Sequence, residues 1–218
     1  MTDWSGLAER EAERYRDGEA RVADIDDPDA RQRQLTRMGN AAYGAGLACA
    51  AAGEPEASEW FDRAATRYRE SWNDAPPRSW GRPIGAIKAR LLAGDPEGAA
   101  RAAEWALAEG AGDADSSIGR YAAALALLVL GRDDDARVLA DGLRTHDAFP
   151  HDVGDALATI AAHDRVGYTE AIESVLRSFE TRDEYLEDVP IADTVIVLQQ
   201  LASDREVAAD LSSPLLPS

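Results

Sequence analysis

Apolar residues recur at helical spacing along almost the whole chain, and similar punctuation interrupts them: Gly53-Glu54-Pro55-Glu56-Ala57, Gly94-Asp95-Pro96-Glu97-Gly98-Ala99 and Gly131-Arg132-Asp133-Asp134-Asp135-Ala136. In each, a glycine is suited to the left-handed conformation that ends one helix, and a proline or a run of aspartates opens the next within a few residues. β-Branched runs bounded by turn residues are scarce. The best of them, Val195-Ile196-Val197-Leu198, lies inside a longer helical pattern. The chain therefore reads as all-α, built from antiparallel helical hairpins with short turns, about eight to ten helices in all.

A weaker fourth copy of the turn is His163-Asp164-Arg165-Val166-Gly167-Tyr168-Thr169-Glu170-Ala171. With the alanines as markers, the spacing is 42 residues from Ala57 to Ala99, 37 to Ala136 and 35 to Ala171, near the period of two-helix solenoids. After each turn a small residue is followed by an apolar residue and then by alanine: Ala57, Phe61 and Ala64; Ala99, Ala103 and Ala106; and, with leucine last, Ala136, Ala140 and Leu143. This resembles the second helix of tetratricopeptide repeats over about residues 30 to 180. The departures are a glycine one residue closer to its alanine in the first copy, no consistently placed aromatic in the first helices, and a poor match at Ala171, Val175 and Ser178. The resemblance implies an α-solenoid forming a single helical-repeat domain over 1–218. Residues 1–30 would carry an N-terminal helix, 31–181 the hairpins, and 182–218 a charged link, a final helix and a short tail. The alternative is a helical bundle whose alanines permit close packing.

Charge narrows the partner classes. Acidic residues outnumber basic ones 41 to 23, the formal net charge is −18, and Lys88 is the only lysine beside 22 arginines. This composition resembles that of haloarchaeal proteins, where surface carboxylates serve in molar salt and the Debye length falls to roughly 3 Å. Nucleic acid is disfavoured as a partner, since its phosphates would be repelled and no basic stripe with interleaved aromatics is present. Cys49, the one cysteine, excludes an intrachain disulfide and a cysteine-ligated zinc site, and reads as a small core residue rather than a nucleophile. The alanine-rich run Ala41 to Ala52 is too short to cross a bilayer, and the N-terminal residues show neither a basic nor an apolar leader region. The expectation is a soluble cytoplasmic protein with no membrane partner and no cofactor.

The charges also segregate by helix. No acid lies between Asp29 and Glu54 or between Asp74 and Asp95, and between Asp115 and Asp133 the only charges are Arg120 and Arg132. These stretches are the predicted first helices, and the predicted second helices carry the carboxylates. In a solenoid the first helices line the concave face, so Arg37, Asn40, Tyr43, Arg82, Lys88, Arg120 and Tyr121 are candidate contacts for an acidic or carboxylate-ended protein partner. The competing reading is that these helices are simply the more buried ones, their arginines snorkelling or pairing with neighbouring carboxylates. Trp80, in the proline-broken segment Trp72 to Pro83, is either an aromatic anchor for a partner or part of a hydrophobic seam between hairpins.

Catalytic constellations are sparse. His151 and Asp155 stand four apart and would share a helix face; with His146 across the turn they make the one conceivable metal or small-ligand site, although no HExxH spacing or EF-hand loop is present. In the C-terminal third, the amphipathic stretch Tyr168 to Phe179 precedes a charged link, Arg182 to Asp188. Val189-Pro190-Ile191 is expected to open a last helix through about Ala202, followed by a leucine-proline tail. That order of features, over about residues 85 to 217, resembles the all-helical immunity protein 49 family of polymorphic toxin systems, and implies a protein that neutralises a toxin partner. The sequence thus points to a non-catalytic interaction protein whose partner is another protein or a second copy of the chain. A helical enzyme or ligand-binding domain using His151, Asp155 and nearby carboxylates is the alternative.

Overall fold

The structure, a computed structural model, describes residues 2–217. Among these residues there are ten α-helices and no strand: α1 (Trp4–Val22), α2 (Pro28–Ala52), α3 (Ala57–Trp72), α4 (Gly81–Leu92), α5 (Pro96–Ala108), α6 (Ser117–Val129), α7 (Asp133–Arg144), α8 (His151–Ala161), α9 (Arg165–Glu180) and α10 (Asp193–Ser203), with short 3-10 turns at Ala111–Asp113 and Leu186–Asp188. No helix is long and apolar enough to cross a membrane.

The recurring turns share one geometry. Gly53, Gly94 and Gly131 all take left-handed backbone angles, and His163 takes the same conformation in the fourth copy. In all four the N–H of that residue donates to the carbonyl three back, and the next N–H to the carbonyl five back, which satisfies the carbonyls left over at the end of a helix. The same pair of bonds ends α10 at Glu206 and Val207. Two of the following helices begin alike, with Asp95 Oδ1 accepting from Gly98 N–H at 2.8 Å and Asp164 Oδ1 from Gly167 N–H at 3.0 Å.

Each helix from α1 to α9 packs on the next, and contacts that skip one helix join α4 to α6 and α6 to α8. The even-numbered helices are the more buried: nine of thirteen residues in α6 and seven of twelve in α4, against four of thirteen in α5 and three of twelve in α7. Small residues let these layers approach closely. A Cβ added at Gly46 in α2 would stand 2.8 Å from the Phe61 ring of α3, inside van der Waals contact. The markers Ala99, Ala103, Ala106, Ala136, Ala140 and Leu143 are fully buried, whereas Ser178 is exposed and the neighbouring Phe179 packs in its stead.

Two boundaries differ from expectation. The second helix starts at Pro28 rather than near residue 31, because Asp27 caps it by accepting from Ala30 N–H at 2.7 Å. Val189-Pro190-Ile191 does not open α10. Val189 and Ile191 are instead buried in the core formed with α1 to α4, and Ala192 N–H is used by Leu215 O at 2.9 Å, so the helix begins only at Asp193. Val195, Val197, Leu198 and Leu201 of α10 then join the other core cluster, resting on α4, α8 and α9. The acid-free helices therefore do not line an open groove along their length; α10 lies across α4 and α8. The tail returns over the body through Leu211, Leu215 and Leu216, with Gln199 holding Ala209 through both its side-chain amide atoms.

Gly46→Ala should destabilise the protein by about 1–2 kcal/mol, because overpacking against Phe61 outweighs the roughly 1 kcal/mol of helix propensity gained. Urea unfolding of this variant and of Gly46→Ala/Phe61→Leu provides the check: relief of the clash should make the pair less destabilised than the two single changes summed.

Candidate functional site

The sole lysine and one carboxylate of α10 meet in the interior. Lys88 Nζ of α4 is paired with Asp193 Oδ2 and donates to Thr194 Oγ1 at 3.1 Å, while Tyr43 O–H of α2 donates to Asp193 at 2.9 Å. Burial works against both charges. For Asp193 the Lys88 charge and the hydrogen bonds from Lys88 and Tyr43 prevail, holding the carboxyl below the usual carboxylate range; for Lys88 the Asp193 charge prevails and raises the ammonium above its ordinary value. Burial and the same carboxylate push the Tyr43 phenol far up, so it stays a proton donor.

This knot forms the floor of a cleft of about 270 Å³ between α2 and α4, lined also by Thr36, Asn40, Tyr68, Arg82 and, from the C-terminal link, Leu186. Tyr68 O–H donates to Asn40 Oδ1 at 2.9 Å. Arg82 Nε donates to Ser71 Oγ at 3.0 Å and its Nη2 to Gln32 Oε1, and both of these partners are buried and neutral. Arg82 and Thr36 also line an adjoining hollow of about 420 Å³ with Arg33, Arg37, Pro76 and Ser79. The link is fastened over α2 by Glu187, which pairs with Arg14 and whose carbonyl accepts from Arg10 at 2.6 Å.

Of the sequence candidates, Asn40, Tyr43, Arg82 and Lys88 line this one cleft, and Arg37 stands exposed beside it in the adjoining hollow. Tyr43 and Lys88 are buried and spoken for by Asp193, so they form its floor rather than a free surface. Trp80, Arg120 and Tyr121 lie outside it. Trp80 is buried 5.5 Å from Trp72, which in turn packs edge-on to Trp105 at 5.7 Å; this is the hydrophobic seam. Tyr121 is buried against Phe149, and Arg120 Nε reaches Ala114 O at 3.4 Å. Sequence reasoning missed Asp193, Tyr68, Gln32 and Ser71. Asp193 did leave a signal, as the one acid in an otherwise apolar helix, and it answers the one lysine.

Among the described residues, no carboxylate lies within ion-pairing distance of Arg31, Arg37, Arg78 or Arg82. The same holds for Arg120, Arg165, Arg177 and Arg182; of these cations Arg82 and Arg120 are half-buried, and burial lowers the pKa of Arg82 from the ordinary value. By contrast, the groove between α3 and α5, lined by Arg69, Arg90, Arg101 and Trp105, is internally neutralised. Arg90 meets Asp62 at 2.6 Å, Arg69 meets Glu109 at 3.7 Å and Arg101 meets Glu97 at 3.7 Å.

His151 and Asp155 share one open cleft of about 450 Å³ between α8 and α9, but the chemistry there is already assigned. Arg144 Nε takes Asp155 at 2.6 Å, Asp164 caps α9, and the lining does not include His146. No group of three His, Cys, Asp or Glu residues among the described residues is placed to hold a metal ion. Cys49 is buried, and burial with Glu54 beside it pushes the thiol up to about 12, away from nucleophile chemistry. The chain matches no protein-family model, no curated protein and no solved structure.

Lys88→Met, which leaves Asp193 buried without its cation, should cost about 3–5 kcal/mol, whereas Lys88→Met/Asp193→Leu should recover most of that loss. Asp193 is held low, so its share of stability is complete above about pH 3.9 and is lost as pH falls through its lower folded value. Lys88 is held high, so its share is complete below about pH 10.4 and is lost as pH rises through its higher folded value. Urea midpoints across pH should therefore fall more steeply at both extremes for wild type than for the double variant.

Proposed function

We propose that this chain is a non-catalytic helical-repeat protein, a tetratricopeptide-like α-solenoid of the cytoplasm adapted to high salt, and that it binds a partner protein at the basic mouth of the cleft between α2 and α4. The observation that carries the reading is the set of cations without carboxylates there. In a chain of net charge −18, whose other arginines are mostly paired, Arg37 and Arg82 face solvent-accessible hollows without an ion-pair partner, the carboxylate of the adjoining hollow, Asp29, being taken by Arg33 and Gln32. A solenoid would explain why α4 meets α6 and α6 meets α8, and why four turns share a geometry. With α10 across α4 and α8, the surface left for a partner on the acid-free helices is the end formed by α2, the proline loop and the start of α4. An acidic segment would dock there, guided by charge and held by the guanidinium forks. A toxin inactivated by this contact is the partner class that the resemblance of the C-terminal third implies.

Affinity capture from the native host at its working salt, using wild type, Arg37→Glu and Arg37→Glu/Arg82→Glu, tests the reading. Circular dichroism and thermal melting establish that each variant is folded. One stoichiometric partner should be captured by wild type, weakened by the single change and lost with the double. A partner retained equally by the folded double variant would overturn the placement. A stable homodimer with no other partner would overturn the reading of a separate protein and leave a second copy as the occupant.

A further inference from the structure

We propose that the α2–α4 cleft reads a single carboxylate group, received by the Arg82 guanidinium together with the side-chain amide of Asn40. The inference rests on the proposed function, since it names the chemistry by which that site would engage a partner.

The cleft holds hydrogen-bonding capacity that the chain itself leaves unused. The acceptors there are already engaged: Asn40 Oδ1 by Tyr68, Asp193 Oδ2 by Lys88 and Tyr43, Gln32 Oε1 by Arg82, and Ser71 Oγ by Arg82. Donors are not. A guanidinium carries five N–H groups and an amide two; Arg82 uses its Nε and one Nη2 hydrogen, and Asn40 makes no donation among the described residues. A cleft rich in unused N–H and poor in free acceptors suits an oxyanion.

Arg82 is also held in place before any ligand arrives. Its two partners are buried; Gln32 is braced by its own donation to Asp29 Oδ1 at 2.9 Å, and Ser71 by its donation to Tyr68 O at 2.9 Å. Orienting a fork through neutral groups keeps its charge undiminished and its geometry fixed, which lowers the ordering cost of capturing an anion.

Charge then selects the class. The cleft itself holds two cations, Arg82 and Lys88, and one carboxylate, Asp193, already satisfied by Lys88. Within the cleft one positive charge is in surplus, which a carboxylate matches; Arg37 adds a second cation in the adjoining hollow, and titration with phosphate separates the two anion classes. Lys88 with Asp193 shows the pairing completed within the chain; Arg82 is the second cation, with no acid from the chain. The carboxylate could come from an acidic side chain, from a chain terminus or from a free small molecule. The volume of about 270 Å³, opening into the hollow beside Arg37, admits any of the three.

The test is a titration of the full chain followed by NMR at the Arg82 Nε–H and the Asn40 side-chain amide. The probes are a short alanine peptide with one glutamate and both ends blocked, an alanine peptide with a free C-terminus, the same peptide as its amide, succinate, and inorganic phosphate. Saturable shifts at both groups are expected with the carboxylate probes and not with the amide, and the strongest carboxylate probe identifies the source. Arg82→Lys should weaken binding by about tenfold, since charge is kept and the fork is lost. Asn40→Asp keeps the acceptor for Tyr68 O–H but replaces the donor with a negative charge, and should abolish binding in a folded protein. Equal shifts with the amide, tighter binding of phosphate, or unchanged binding in Arg82→Lys and Asn40→Asp would overturn the proposal. If capture of a partner depends on Arg37 and Arg82 while no carboxylate probe titrates, the interaction reading survives and the carboxylate assignment fails. If the probes bind at Arg82 and no protein is captured, the carboxylate site stands and the interaction reading falls.

Discussion

Much of this structure depends on the buried pairing of Lys88 with Asp193, because it joins the middle of the chain to its end. Helices α1 to α9 each rest on the next, an arrangement that by itself leaves one side of the even-numbered helices uncovered. The final segment supplies the cover. Val189 and Ile191 enter one core cluster and Val195 to Leu201 enter the other, so a run of about a dozen residues bridges the two. Asp193 sits between these apolar stretches, where an unpaired carboxylate would be strongly penalised by desolvation. The ion pair therefore acts less as a source of net stability than as a register mark: α10 can occupy its place only where Asp193 finds Lys88 and Tyr43.

Other polar contacts repeat this logic at the edges. Glu187 reaches from the link to Arg14 and, through its carbonyl, to Arg10 of α1, while Arg10 and Arg14 also satisfy the buried Glu11 at 2.8 Å each. At the far end, Arg205, just after α10, binds Asp133 at the start of α7 and donates to Leu128 O at 2.7 Å. Each is a long-range contact made by the last forty residues. Small side chains serve the layers beneath: with Ala122, Ala123, Ala124 and Ala126, α6 packs against α5 and α7 and also meets α4 and α8.

How far this was legible in the sequence depended on the range of the interaction. The turns were readable because the left-handed position and the aspartate cap are local requirements, and Gly94-Asp95-Pro96 states them directly. His163 weakened the fourth signal only because a non-glycine residue occupies the same left-handed backbone position. The burial of Ala99, Ala103 and Ala106 was likewise visible as a helical stripe. What could not be read was where α10 would go, since periodicity says which face is apolar but not which helices it will meet. That gap explains the mixed outcome at the cleft. Lys88, Tyr43, Asn40 and Arg82, read as one face of acid-free helices, line one cleft, while the occupation of Lys88 and Tyr43 by Asp193 depends on contacts spanning 105 and 150 residues. Tyr121 joined that set through its helix and Trp80 through the proline-broken segment, where the seam was its other reading, and both are packing residues.

The absence of acids from α4 and α6 now divides into two causes. Along α6, burial is sufficient: a helix with nine of its thirteen residues buried has little room for carboxylates, whatever its function. At the start of α4 burial is not sufficient. Arg82 is only half-buried, and the acid-rich surface offers carboxylates for Arg90, about two turns further along the same helix, from two different elements. A packing constraint alone would be met more cheaply by a neutral side chain at position 82, since a guanidinium held by Ser71 and Gln32 still loses hydration without gaining an opposite charge. The cation is thus costly to the fold as it stands, a cost that the proposed carboxylate would offset.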